Sequence, residues 1–146
     1  MLSYSEGVKV EKIDQFSVQI NKEVMAMRIL IVDDDAFSRD LVVCMLEDTD
    51  RQIDVAGNGL EALRLLTQNR YNLVLMDCNM SVMDGYTATR IIRGSSAVIN
   101  TQVPIIALSA TTDLSTRTAC KLAGMDDCLT KPVNQDELEE ILKRWL

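Results

Sequence analysis

Charged and hydroxyl-bearing side chains follow four short apolar runs of the sequence, at the point where each run ends. They are Asp33, Asp34 and Asp35 after the first run, Asp77 after the third, Ser109 after the fourth and Lys131 after the fifth. In a parallel α/β sheet, ligands collect at the carboxyl ends of the strands, which share one edge. An ordinary solvated surface does not explain this placement, so we interpret these residues as one site.

The chemistry of such a site follows from its charges. Several carboxylates stay ionised side by side only when a cation neutralises them. Carboxylate oxygens suit a hard cation such as Mg²⁺, which leaves coordination positions for phosphate oxygens. Lys131 adds a compact positive charge, and Ser109 adds a hydroxyl able to donate to a phosphoryl oxygen. A carboxylate beside a metal and a lysine is a nucleophile that can form an acyl phosphate, and we predict this role for Asp77.

The elements that must position these residues alternate along the chain. Apolar runs at residues 28–32, 53–56, 72–76, 103–108 and 127–130 predict strands. Amphipathic stretches at 37–47, 59–68, 85–93, 112–123 and 135–145 predict helices, with N-caps at Asn58, Asp113 and Asn134 and a C-cap at Gly124. A helix in each crossover predicts an α/β fold with a parallel five-stranded sheet. The run at 127–130 is predicted to be an edge strand.

Residues 1–26 stand apart from this alternation. Ile13, Phe16, Ile20 and Val24 fall near helical spacing, whereas Phe16, Val18 and Ile20 alternate as in a strand. We interpret this segment as an N-terminal extension or linker. Residues 27–146 are then long enough for one domain with its own core.

The composition excludes several functional classes. The 146 residues include 22 acidic and 15 basic side chains, which give a net charge of −7. This balance argues against nucleic acid or an anionic membrane surface as a partner, because both need a basic patch. The sequence contains no apolar run of membrane-spanning length and no secretory signal pattern, so we predict a cytoplasmic location without membrane insertion. The four cysteines form no CxxC pair and are expected to be reduced thiols.

Four stretches resemble the receiver domains of two-component response regulators, in particular those of hybrid sensor kinases. They are residues 29–34 (ILIVDD), 73–85 (LVLMDCNMSVMDG), 104–110 (PIIALSA) and 131–132 (KP). The resemblance covers residues 27–146 and implies a doubly wound, flavodoxin-like fold with strand order 2-1-3-4-5. It implies a phosphorelay switch that catalyses its own aspartyl phosphorylation and dephosphorylation, rather than a conventional enzyme.

Carried over by position, the resemblance implies that Asp77 is the phosphoacceptor, Ser109 the hydroxyl that moves to the phosphoryl group and Lys131 the ion-pair partner. The implied ligands of Mg²⁺, or of Mn²⁺ in its place, are Asp33, Asp34, Asp77 and the backbone carbonyl of Asn79. Pro132 is expected to shape the loop that presents Lys131, through a cis peptide bond.

The implied partner is a histidine kinase or a histidine phosphotransfer protein, since the chain has no histidine of its own to carry the phosphoryl group. The domain itself is expected to be a monomer or a weak dimer in the cytoplasm, either alone or as the cytosolic part of a membrane-bound hybrid kinase. The first predicted helix has more apolar surface than one core-facing stripe needs. That surface is either deeply buried or a docking face for the partner.

Three positions depart from the receiver pattern. Ser81 stands where the family usually has proline, and Asp35 stands where asparagine is often found. Cys128 occupies the position, three before Lys131, where an aromatic residue commonly swings inward on phosphorylation. Either the conformational response is muted, or the domain relays phosphate more than it signals by shape. Asp35 is also a candidate helix N-cap.

Two other functions are compatible with parts of this pattern. A phosphorylation-independent interaction module on the same fold is favoured by Cys128 and disfavoured by the complete set of polar residues around Asp77. An aspartate-nucleophile phosphohydrolase of the haloacid dehalogenase type would need a second aspartate at position 79, where the sequence has Asn79.

Overall fold

The computed structural model describes residues 27–47 and 50–146, so the extension or linker predicted for residues 1–26 lies outside the described residues. Five strands alternate with five helices in this part of the chain. The strands are β1 (Met27–Val32), β2 (Arg51–Ala56), β3 (Leu73–Asp77), β4 (Ile105–Ser109) and β5 (Asp127–Thr130). The helices are α1 (Ala36–Leu46), α2 (Gly59–Gln68), α3 (Gly85–Gly94), α4 (Leu114–Ala123) and α5 (Gln135–Trp145).

The five strands form one parallel sheet in the order β2-β1-β3-β4-β5, as predicted. Alternate residues of β1 and β3 point to opposite faces of the sheet. Leu30 and Val74 pack under α2 and α3, while Ile29 and Leu73 pack against α1 and α5. Covering both faces explains why these strands are continuously apolar. The fold is therefore doubly wound, and β5 lies at an edge.

Three element boundaries differ from the prediction by two residues, and the others agree with it to within one residue. Strand β2 begins two residues early because Arg51 pairs with Met27 at the start of β1. Strand β4 begins at Ile105 rather than at residue 103, because Pro104 lacks the N–H that a strand needs to pair with its neighbour. Helix α4 begins at Leu114 because the preceding Asp113 side chain caps it.

Side chains close the helix ends that were predicted from sequence. Asn58, Asp113 and Asn134 each accept hydrogen bonds from backbone N–H groups of the first turn. Gly124 ends α4 in the left-handed conformation, with φ of 105°. None of the helices in residues 27–47 and 50–146 is long and apolar enough to cross a membrane.

Candidate functional site

Three of the predicted site residues are buried polar groups at the carboxyl edge of the sheet. Asp33, Asp77 and Ser109 are only 1%, 5% and 4% exposed. Asp77 is the last residue of β3 and pairs with Leu108, so Ser109 lies one residue further along the neighbouring strand. Burial of ionisable groups is costly unless partners compensate for the lost water. The arrangement around these carboxylates supplies such a partner.

The ammonium of Lys131 is that partner. Its Nζ lies 2.9 Å from Asp33 Oδ2 and 3.1 Å from Asp77 Oδ2. The backbone N–H of Lys131 donates to the carbonyl of Ser109 at 2.7 Å, which fixes the loop after β5 beside β4. The Lys131–Pro132 peptide bond is cis, as predicted. One cation therefore neutralises part of the charge of two buried carboxylates.

The acidic cluster is suited to a divalent cation. Asp33, Asp34 and Asp77 each offer one carboxylate oxygen, and these oxygens lie within 4.8 Å of one another. Apart from the neighbouring ammonium, Asp33 Oδ2 has no hydrogen-bond partner among the described residues although it is buried. A buried acceptor with unused lone pairs, facing two further carboxylates, is the donor set that hard cations prefer.

The pKa of Asp77 reflects its burial and the charged groups around it. Burial raises the pKa of the Asp77 carboxyl to about 6, and the Asp33 carboxylate adds to the increase. The Lys131 ammonium and the backbone N–H of Asn79 act in the opposite direction. Burial alone would lower the pKa of Lys131, but its hydrogen bonds to both carboxylates raise it. Lys131 is therefore the fixed positive charge of the site.

The remaining predicted residues lie around this centre. Asn79 donates its backbone N–H to Asp77 Oδ1 at 3.3 Å, and the role of its carbonyl as a metal ligand stays a prediction. Ser109 Oγ accepts from the N–H of Thr111 at 3.4 Å. Asp35 caps α1 through Phe37 N–H, as its alternative interpretation proposed.

Helix α3 begins in close contact with Asp77 at the end of β3. A Cβ on Gly85 would lie 2.1 Å from the carbonyl oxygen of Asp77. Only glycine permits this approach of a helix start to a strand end. Asp84 caps the same helix by accepting from Thr87 N–H at 2.7 Å. The position of Asp77 is thus fixed by the backbone of α3 as well as by the sheet.

Two groups near the site were not predicted from sequence. Arg39, on α1, donates from Nη1 to the carbonyl of Asp33 at 3.0 Å. The backbone N–H of Ser81 donates to Asp34 Oδ2 at 3.1 Å. The contact of Arg39 could have been predicted from the sequence, because Arg39 lies six residues after Asp33 on the first turns of a predicted helix. A backbone donor leaves no such signal.

The cysteines near the site are packing residues in this structure. Cys78 is fully buried beside Cys120, with the two sulfur atoms 3.9 Å apart. Burial raises the pKa of the Cys78 thiol to about 12, which keeps it protonated and unreactive. Cys128 is half-buried and lines a groove of about 320 Å³ between α4, β5 and α5.

Comparison with known proteins agrees with this geometry. The chain is 36% identical over 121 residues to hybrid signal transduction histidine kinase F of Dictyostelium discoideum, and 36% identical over 121 residues to sensor protein GacS of Pseudomonas syringae pv. syringae. Both matches cover 82% of this chain, which spans only 11% and 13% of the length of those two proteins.

Solved structures show the same fold. The receiver domain of a sensor histidine kinase from Pseudomonas aeruginosa, with a magnesium ion coordinated in its active-site cleft, is 40% identical with a TM-score of 0.73. That match covers 82% of this chain and 97% of the other. Chemotaxis protein CheY4 of Vibrio cholerae is 30% identical, with a TM-score of 0.75, over 82% of this chain and 98% of that one. The response regulator receiver domain family matches residues 29–143, and the chain belongs to that family of phosphoryl-accepting signalling switches.

Proposed function

We propose that Asp77 is the residue that accepts the phosphoryl group, which it takes from the phosphohistidine of a partner protein. The observation that carries this assignment is the Lys131 ammonium placed 3.1 Å from a carboxylate that is only 5% exposed. A buried, cation-paired carboxylate at the carboxyl edge of a parallel sheet is both a nucleophile and a site for an anionic ligand.

The proposed reaction is an in-line displacement at phosphorus. A carboxylate oxygen of Asp77 forms a bond to the phosphorus atom while the bond from phosphorus to the imidazole nitrogen breaks. The imidazole leaves with the electron pair of that bond and takes up a proton. Lys131 and the Ser109 hydroxyl then stabilise the phosphoryl oxygens through charge and a hydrogen bond. Positioning and charge neutralisation are the contributions that this transfer needs from the protein.

We propose that Asp33, Asp34, Asp77 and the carbonyl of Asn79 hold Mg²⁺ during this reaction, and that Mn²⁺ substitutes for it. The bound cation supplies charge neutralisation for the transferring phosphoryl group. Support comes from the three converging carboxylates and from the magnesium ion in the cleft of the Pseudomonas aeruginosa receiver domain. Mn²⁺ prefers similar oxygen ligands.

The proposed partner is a histidine kinase or a histidine phosphotransfer protein, in agreement with the sensor kinases among the relatives. The domain would meet it in the cytoplasm as a monomer or weak dimer. Part of α1 is suited to such contact, because Phe37 is 72% exposed and Leu41 is 43% exposed next to the site. A fully buried helix, the other interpretation of this apolar surface, does not agree with these exposures.

The test is phosphorylation by a small donor that replaces the partner. Wild type, Asp77→Asn and the exposed control Asp136→Asn are incubated with acetyl phosphate and Mg²⁺ and analysed by intact mass. We expect one phosphoryl adduct on wild type and on the control, none on Asp77→Asn, and none without a divalent cation. An unmodified wild-type protein under these conditions would instead favour the interaction module, and steady hydrolysis of many phosphate monoesters would favour a phosphohydrolase.

A further inference from the structure

The loop after β3 contacts the acidic cluster through its backbone. The N–H of Ser81 donates to Asp34 Oδ2 at 3.1 Å, across a sequence separation of 47 residues. Receiver domains usually have proline at this position, and proline has no N–H to donate. The contact is therefore specific to a residue at which this chain departs from its family.

Asp34 has few other restraints. It is exposed, unlike Asp33 and Asp77, and the Ser81 N–H is its one hydrogen-bond donor within residues 27–47 and 50–146. In the rotamer that this bond fixes, a carboxylate oxygen of Asp34 lies within 4.8 Å of oxygens of the two buried carboxylates. Without the bond, an exposed aspartate samples several rotamers and loses entropy when it binds a ligand.

The donor itself is held in place. The carbonyl of Ser81 accepts from Met83 N–H at 2.8 Å, which closes a tight turn around Val82. Val82 adopts φ of 70°, a left-handed conformation that a β-branched residue rarely takes. Met83 is packed against the start of α2, where a Cβ on Gly59 would approach its side chain to 2.9 Å. A loop anchored in this way presents a fixed N–H rather than a mobile one.

We propose that the backbone N–H of Ser81 is a positioning group that preorganises Asp34 for a divalent cation. The inference rests on the proposed function of Asp34 as a metal ligand. It adds that the serine in place of proline provides the donor. Fixing one ligand side chain before binding changes affinity by the entropy of about one rotamer-rich side chain, which corresponds to a factor of about three to ten.

The test compares Ser81→Pro, which removes the N–H, with Ser81→Ala, which removes only the hydroxyl. Mg²⁺ alone is titrated into wild type and both variants, and backbone amide shifts are followed by NMR. We expect wild-type affinity for Ser81→Ala and an affinity about three to ten times weaker for Ser81→Pro. At saturating Mg²⁺, the acetyl phosphate reaction of Ser81→Pro should recover to near the wild-type rate.

Two results would overturn the inference while leaving the proposed function intact: wild-type Mg²⁺ affinity in Ser81→Pro, or an equal loss in both variants. Absence of Mg²⁺ binding to wild type would instead overturn the proposed metal site. A second measurement does not depend on the folding of the proline variant. The Ser81 amide proton should shift upfield and exchange faster with solvent in Asp34→Ala, and an unchanged resonance would contradict the hydrogen bond.

Discussion

The ammonium of Lys131 lies 3.1 Å from Asp77 Oδ2, so the nucleophile proposed for phosphoryl transfer is already paired with a cation before any phosphoryl group arrives. The same ammonium is 2.9 Å from Asp33, and this second pair holds it at the centre of the site. A charge fixed in advance requires little reorganisation when phosphoryl oxygens approach.

Replacing Lys131 with methionine should therefore slow phosphorylation. Loss of one preorganised charge-stabilising donor costs about a hundredfold in rate. The rate of adduct formation with acetyl phosphate and Mg²⁺, followed by intact mass, measures this effect. The matched control is Lys121→Met, at an exposed position of α4, which should retain the wild-type rate. Equal rates in wild type and Lys131→Met would show that the ion pair has no part in the transfer.

Gly85 should tolerate no side chain. A Cβ there would lie 2.1 Å from the Asp77 carbonyl oxygen, so α3 or the end of β3 would have to move. We expect Gly85→Ala to lower the free energy of unfolding by about 3 kcal/mol and to impair phosphorylation. Gly94→Ala is the matched control, since its added Cβ would meet no atom within 4 Å apart from its chain neighbours and the backbone of its own helix. Urea unfolding should show that the control changes stability by less than about 1 kcal/mol.

Val82 should be a position where a substitution stabilises the protein. Its φ of 70° disfavours a β-branched side chain, whereas asparagine adopts this region more readily. We expect Val82→Asn to raise the free energy of unfolding by about 1 kcal/mol in urea titrations. Val55→Asn, at a 41% exposed position of β2, should lower it because asparagine is disfavoured in strands. A loss of stability in Val82→Asn would mean that the turn imposes no strain.

Asp127 should make stability depend on pH in the acid range. Burial alone would raise its pKa, but hydrogen bonds from Trp145, the N–H of Cys128 and Arg144 lower it below the ordinary value of 3.8. A carboxyl whose pKa is lower in the folded state contributes stability above its unfolded pKa and loses it as pH falls towards the folded value. Its contribution should thus be complete above about pH 4 and decline below it.

The variant Asp127→Asn tests this linkage. Trp145 is the single tryptophan of the chain, and its Nε1 donates to Asp127 Oδ2 at 3.1 Å, so its fluorescence reports unfolding. We expect the variant to lose about 1 kcal/mol of stability at pH 7 and to show a flatter decline below pH 4. Parallel pH profiles for wild type and variant would contradict the assignment.

The sequence was informative wherever a local rule applied. Polar residues that follow apolar runs identified the carboxyl edge of the sheet, which is where Asp77 and Ser109 lie. The N-caps Asn58 and Asp113 were predictable because a cap involves residues only two or three positions apart. The parallel sheet followed from the helices in its crossovers. Its strand order came from the family resemblance and was confirmed by the structure.

Contacts that depend on the backbone or on distant segments could not be predicted in this way. The Ser81 N–H is a donor in any residue except proline, so its pairing with Asp34 depends on loop geometry alone. The Arg93 side chain, on α3, donates to the carbonyls of Thr101, Val103 and Gly124. A long flexible side chain carries no sequence signal for which of many carbonyls it will reach. Such contacts became visible only in three dimensions.

The ion pair between Lys131 and Asp33 also connects parts of the sheet that are not neighbours. Asp33 follows β1 and Lys131 follows β5, with β3 and β4 between them. The pair therefore links the carboxyl end of the edge strand β5 to that of β1, across two intervening strands. A reaction that draws the ammonium entirely towards Asp77 would break the ion pair with Asp33. Phosphorylation of Asp77 would then loosen the attachment of β5 to the rest of the domain. The groove beside Cys128, which β5 lines, would change with it.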